Sequence, residues 1–364
     1  MKKWYDTLYT YIWVFNVGRG LAIFIRLPQN FGIIYDMGAS DDFSPQDFIA
    51  THILPNLTPY KDERGEERAL AQSILSHPHA DHIYEMAGND SCQDAALWTC
   101  PHDKEYPPAL REEYKDERVD FKRVTNPDGS EDLIEEYRQA YRKRDLPLQT
   151  IKRGEARVPN VEYGIYYVRP PECDKMHPDS DQDYTNSTSL VLYLRHGKQN
   201  ILLPGDITPA GLERVLTCDE GVERRYTFFT EGLGCEDDHC KTGDQPMLGE
   251  TLQSCGLSIL IAPHHGLESG YCEELQNHLG GGKPDLNVIS EKRHIVEGEG
   301  TVDPRYQNEE GANGLTVDVE GSRESRYSVS TRDGHHILIA FKGTDGCPHV
   351  YLRKDAEDLI NIVP

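Results

Sequence analysis

The chain has 364 residues, of which 62 are acidic and 38 basic, for a formal net charge of −24. That balance repels phosphate backbones at long range and disfavours nonspecific nucleic-acid binding, so a nucleic-acid substrate would need local help. No run of about eighteen apolar residues occurs, which excludes a spanning helix. Met1-Lys2-Lys3 has the charge of a signal-peptide start, but Asp6 and the polar Thr7, Thr10 and Asn16 interrupt the apolar region too early. Nine cysteines, an odd number in a chain too large to need staples, fit a reducing compartment. The expectation is a cytoplasmic protein with no membrane partner.

In chain order, residues 9–17, 21–27 and 31–35 are rich in β-branched and aromatic residues and read as strands. Gly18-Arg19-Gly20 and Pro28-Gln29-Asn30 separate them as turns, and Asp36 falls just past the third. A further strand over 73–76 runs into His77-Pro78-His79-Ala80-Asp81-His82. Three imidazoles and a carboxylate within six residues point to a preformed metal site. His and Asp together suit zinc, with manganese or iron in a site richer in oxygen. A sharp turn at Pro78 would aim His77 and His79 at one ion and Asp81 and His82 at a second.

Residues 101–160 are densely charged, with little apolar periodicity apart from a helix at 131–144, and read as an insertion. The segment is either a solvated excursion or a lid or docking surface for a protein partner. Residues 171–184 are acidic and polar and lead into a strand over 189–195. His196-Gly197-Lys198 makes a turn into a paired strand at 200–203 that delivers Asp206, and a helix follows with Thr208 as N-cap and Pro209 in its first turn. Residues 218–255 form a Cys-containing insertion. Its Cys218, Cys235, Cys240 and Cys255, with His239, lack paired C-x-x-C spacing and read as ordinary thiols. Beyond it come a strand ending at His264, a helix around 272–279, and strands over 286–290, 326–330 and 335–341.

Several of these motifs carry a resemblance. The cluster at 77–82, then Leu202-Leu203-Pro204-Gly205-Asp206, then Ile259-Leu260-Ile261-Ala262-Pro263-His264-His265-Gly266, resemble in order the ligand motifs of the metallo-β-lactamase superfamily. Phe15-Asn16-Val17-Gly18-Arg19-Gly20-Leu21-Ala22, Ile33-Ile34-Tyr35-Asp36-Met37-Gly38, Asn186-Ser187-Thr188-Ser189-Leu190-Val191-Leu192 and Tyr327-Ser328-Val329-Ser330-Thr331-Arg332-Asp333-Gly334 extend the match. Together they are similar to the hydrolase domain of the competence DNA-uptake channel (ComEC type) and its free-standing relatives.

That resemblance implies an α/β fold, the metallo-β-lactamase αββα four-layer sandwich, as a single domain over 1–364. It also implies two divalent ions, zinc or manganese. His77 and His79 would hold the first, and Asp81, His82 and His264 the second, with Asp206 as the bridge. The first ion lacks the usual third His, and Asn186 stands where it would be, as a metal or substrate ligand. A more oxygen-rich site raises the odds of manganese. Asp36 would orient a metal-binding histidine, or else is a turn Asp. Successive strand residues face opposite ways, so His264 is expected as the ligand. His265 is then a proton donor, a phosphate contact or a structural residue. Asp81 and Asp206 would also be catalytic. Ser76, Arg19 and Asn16 would lie near the cluster as substrate contacts or turn structure.

The implied activity is that of a metal-dependent hydrolase, foremost a phosphodiesterase or nuclease acting on DNA or RNA, as an effector in a bacterial defence assembly. Two ions, and a basic rim from residues such as 323–332, would offset the acidic surface. A small-molecule hydrolase acting on a cyclic nucleotide, lactone or thioester is the alternative, which that surface tolerates better.

Overall fold

The computed structural model of the chain describes residues 9–18, 20–28, 31–40, 42–57, 60–61, 67–68, 70–77, 79–85, 98–99, 161–228, 246–280, 282–291, 301–343 and 346–362. The 101–160 insertion and its expected helix lie outside the described residues, as do Cys235, His239 and Cys240.

The fold is mixed α/β, built on two mixed sheets. The first half supplies β1 (Tyr9–Val14), β2 (Ala22–Leu27), β3 (Phe31–Met37), β4 (Tyr60–Lys61), β5 (Glu67–Arg68), β6 (Leu70–Ile74) and β7 (Trp98–Thr99). The second supplies β8 (Val161–Val168), β9 (Val191–His196), β10 (Gln199–Leu203), β11 (Val222–Phe228), β12 (Ile259–Ile261) and β13 (Leu286–Ile289). It ends with β14 (Leu315–Val319), β15 (Ser322–Arg326), β16 (Ser328–Ser330), β17 (His336–Lys342) and β18 (His349–Arg353). A nine-stranded sheet runs in the order β15-β14-β18-β17-β1-β2-β3-β6-β7, and a seven-stranded sheet in the order β11-β8-β9-β10-β12-β13-β16. The α-helices are α1 (Pro45–Phe48), α2 (Ala80–Ile83), α3 (Pro170–Met176), α4 (Asp181–Ser187), α5 (Pro209–Thr217), α6 (Leu248–Cys255) and α7 (Glu273–His278). Among the described residues no helix is long and apolar enough to cross a membrane.

Alternation along the strands makes three apolar layers. Ile12, Val14, Ile23 and Ile25 from the first sheet meet Ile165, Leu192, Leu194 and Ile201 from the second in one core between the sheets. Trp13, Phe24 and Leu338 point the other way, onto Phe48, Ile53 and Leu359. On the outer face of the second sheet, Tyr193, Leu202 and Leu260 pack on Leu212, Leu252 and Leu275 from α5, α6 and α7. The central strands β1, β2, β9, β10 and β17 are therefore buried on both faces, which explains their near-continuous apolar runs, whereas β14 and β18 alternate between buried and exposed residues.

Parts of the 218–255 segment belong to this framework. β11 pairs with β8 at the edge of the seven-stranded sheet, and α6 buries Leu248 and Leu252. The acidic stretch at 171–184 carries α3 and most of α4 rather than loop. Ser180 caps α4 by accepting the Asp183 N–H at 3.2 Å. At α5 the Thr208 hydroxyl accepts the Gly211 N–H at 3.2 Å, with Pro209 opening the helix.

Strand direction positions the site. β3 and β6 are parallel, as are β10, β12 and β13. Their carboxyl ends deliver Asp36, His77, Asp206, His264 and His265, and Ser290. Crevices beyond the carboxyl ends of parallel strands are where α/β sheets hold ligands.

Candidate metal centre

The site is assembled where the ends of the two sheets are tied together. Leu190 N–H donates to the Ser76 carbonyl at 3.0 Å across the sheets, and within the seven-stranded sheet His264 N–H, after β12, donates to the Gly205 carbonyl, after β10, at 3.1 Å. The buried Tyr35 hydroxyl lies 2.7 Å from the Leu190 carbonyl and 3.0 Å from that of Leu203. Gly205 has φ 60°, and a Cβ there would come within 2.7 Å of Ser76 Cβ, so only glycine lets the Asp206 loop seat so closely.

Asp36 organises the histidines. It is fully buried with φ 57°, a left-handed conformation that Asp tolerates better than most residues. Its Oδ1 accepts the Ser76 N–H at 2.7 Å, and its Oδ2 lies 2.7 Å from both Ser76 Oγ and His82 Nδ1. Ser76 Oγ also lies 3.1 Å from His77 Nδ1. Ser76 is thus a fixed structural link of the cluster. With Nδ1 donating to Asp36, His82 turns Nε2 toward Asp206, 3.3 Å from its Oδ1.

Two donor sets result, His77 with His82 and Asp206, and Asp81 with His82 and His265. In each set one potential ligand atom per residue lies within 4.8 Å of the others. His82 belongs to both. This differs from the expected partition, which put His77 apart from His82. His79 is buried beside His77, its Nδ1 2.9 Å from His77 Nε2.

The alternation argument that favoured His264 over His265 does not hold. β12 stops at Ile261, and both histidines lie in the left-handed region, with φ 49° and 57°. Strand alternation therefore does not apply to them, and both rings face Asp206. His265 Nε2 lies 3.5 Å from Asp81 and 3.6 Å from Asp206. Its Nδ1 is 3.0 Å from the Ser290 carbonyl, the contact that holds a ligating imidazole in one tautomer. His264 Nε2 is farther, 3.9 Å from Asp206, and its Nδ1 contacts Ser269 Oγ at 3.0 Å. Asn186, near the end of α4, is buried, and its Oδ1 makes no hydrogen bond among the described residues.

Electrostatics divide the ring nitrogens. Burial opposes charge on Asp206, but His265, His82 and His264 hold its carboxyl well below the ordinary range. Burial disfavours the imidazolium of His82, yet Asp206 and Asp36 outweigh it and raise its pKa well above the usual value. His265 is raised in the same way by Asp206 and Asp81 against its burial. Burial, then His82 and His79, pushes His77 down, and burial lowers His264.

The donor chemistry fits a divalent cation. Positive charge already collects between two ionised carboxylates, and 3.5–3.6 Å is too long for a good hydrogen bond from His265. A metal ion answers both needs with nitrogen and oxygen ligands. Sequence reasoning missed Tyr35, Ser269 and Ser290. Ser290 has a usable signal, since it ends a strand parallel to the one that leads to His265. No family model matches the chain, and no curated protein matches it.

Proposed function

We propose that the chain is a metal-dependent hydrolase of the metallo-β-lactamase superfamily, acting as a phosphodiesterase on nucleic acid. One observation carries this reading. Two buried His/Asp donor sets share His82 and adjoin Asp206, at the ends of strands from both sheets. The two-sheet core with apolar layers on both outer faces supports the four-layer αββα sandwich of that superfamily.

His77, His82 and Asp206 would hold one ion, and Asp81, His82 or Asp206, and His265 a second, with His79, His264 and Asn186 at the margin. Bound divalent ions supply Lewis acidity, which makes water a nucleophile near neutral pH and neutralises charge on a phosphoryl group. Asp36 and the Ser290 carbonyl orient His82 and His265 through their Nδ1 atoms. His264, 12% exposed in its side chain and lowered in pKa by burial, would contact a leaving group.

The net charge of −24 favours a second reading, a small-molecule hydrolase acting on a cyclic nucleotide, lactone or thioester. Purified protein with manganese or zinc, tested on single-stranded and duplex DNA, RNA, cyclic nucleotides and ester substrates, separates the two. Cleavage of a phosphodiester that disappears in Asp206→Ala is the expected result. Survival of every nucleotide substrate while an ester or lactone is cleaved would overturn the phosphodiesterase reading.

A further inference from the structure

The loops at 16–20 and 38–43 each have two ends. One end of each packs on Asp81: Leu21 N–H donates to the Asp81 carbonyl at 3.0 Å, and a Cβ on Gly20 or Gly38 would collide with that carbonyl oxygen. The other ends, with Asn16, Gly18 and Phe43, line a cleft of about 730 Å³. Two residues of chain span at most about 7 Å, so the cleft wall at Gly18 stands close to the Gly20 contact with Asp81. A cleft of this size suits a single small organic ligand.

Its floor is aromatic and neutral. Phe43 is half-buried, with ring centroids 4.3 Å from His336 and 5.7 Å from Phe48. His336 Nδ1 accepts the Asn16 N–H at 3.2 Å, and burial pushes its pKa down to about 4, so the ring carries no charge at neutral pH.

Its rim carries both signs of charge. The Asp355 carboxylate accepts the Glu357 N–H at 2.9 Å, and the Glu357 carboxylate faces His52 at 3.7 Å. On the basic side, Arg332 is 44% exposed and only loosely paired, 3.9 Å from Glu291. Exposed Lys354 makes no side-chain ion pair among the described residues. Two exposed cations, Lys354 and Arg332, stand on this rim beside Asp42, Asp355 and Glu357, on a chain that is strongly acidic. An aromatic floor beside cations matches a base joined to a phosphate. Inorganic phosphate would leave the floor unused.

We propose that this cleft binds one nucleoside monophosphate unit, its base against Phe43 and its phosphate toward Lys354 and Arg332, beside the candidate centre. The proposal rests on the phosphodiesterase reading for its role, since it names the part of the substrate held next to the cleaved bond.

The test is calorimetric titration of the full chain with AMP, GMP, CMP, UMP and inorganic phosphate, in chelator so that no metal contributes. The expected result is saturable nucleotide binding, tighter than that of phosphate and weakened at least tenfold by Lys354→Ala with Arg332→Ala and by Phe43→Leu. The two cations are exposed, so their double variant keeps the test sound if Phe43→Leu disturbs folding. Nucleotide binding that is absent, or unchanged in the double variant, would overturn the proposal. Binding with the expected variant pattern in a protein that hydrolyses no nucleotide would support the cleft and sink the phosphodiesterase reading. Strand cleavage with an unchanged KM in the double variant would sink the cleft and leave that reading standing.

Discussion

Asp36→Asn isolates the role of the buried carboxylate beneath His82. The replacement keeps size and tolerates φ 57°, and its carbonyl oxygen still accepts from Ser76 N–H. At the Oδ2 position, however, an NH2 group would meet two groups that now lie at 2.7 Å, the Ser76 hydroxyl and His82 Nδ1. Hydrogen bonds to a charged group contribute roughly 1.5–3 kcal/mol each. When neutral, as a metal ligand must be, His82 can recover one of them by carrying its proton on Nε2, which leaves a net destabilisation of about 1.5–3 kcal/mol. That tautomer points N–H, instead of a lone pair, at the Asp206 side of the centre. Loss of such a support weakens metal binding by about 10–100-fold, or roughly 1.4–2.7 kcal/mol. Urea unfolding and calorimetric titration with manganese or zinc measure the two effects separately. Metal affinity within about twofold of wild type in a folded Asp36→Asn protein would refute the reasoning.

Three more outcomes follow from the same geometry. Gly38→Ala would push a methyl group into the Asp81 carbonyl; the expected cost is about 1–3 kcal/mol of stability with weakened metal loading, and full loading at wild-type stability would contradict the clasp. Tyr35→Phe removes the hydroxyl that lies between the Leu190 and Leu203 carbonyls and should lower stability by about 1–3 kcal/mol, read from the urea midpoint. For pH, burial pushes His196 down to about 4, below its value of about 6.5 in the unfolded chain. The unfolded chain then takes up the proton first, so this contribution is complete above about pH 6.5 and is lost as pH falls toward 4. By pH 5 the loss amounts to about 2 kcal/mol, and His196→Gln should lose that much less stability than wild type between pH 7.5 and 5. An equal loss in both proteins would count against it.

Much of the centre was legible because its residues end strands. Asp36, His77 and Asp206 each follow an apolar run, and the structure converges those ends. Alternation gave no basis for choosing between His264 and His265 for a physical reason: it holds only while the strand continues, and Pro263 with Gly266 marks a turn that puts both rings on one side. The strand at 161–168, Val-Glu-Tyr-Gly-Ile-Tyr-Tyr-Val, was obscured because Glu162 and Gly164 interrupt its apolar run after a charged stretch, although Pro159-Asn160 give a turn signal before it. β11, Val-Glu-Arg-Arg-Tyr-Thr-Phe, was equally obscure, since an edge strand with adjacent arginines has neither alternation nor an apolar run. The helices α3 and α4 are acidic and short, and tertiary packing of Cys173 and Tyr184 rather than periodicity holds them.

The central claim is that this His/Asp cluster is a divalent metal centre. Metal analysis of chelator-treated protein reloaded with manganese or zinc, wild type beside Asp206→Ala, tests it most directly. Two ions per wild-type chain, and fewer in a folded Asp206→Ala protein, are predicted. No retained metal, or the same content in both proteins, would contradict the account.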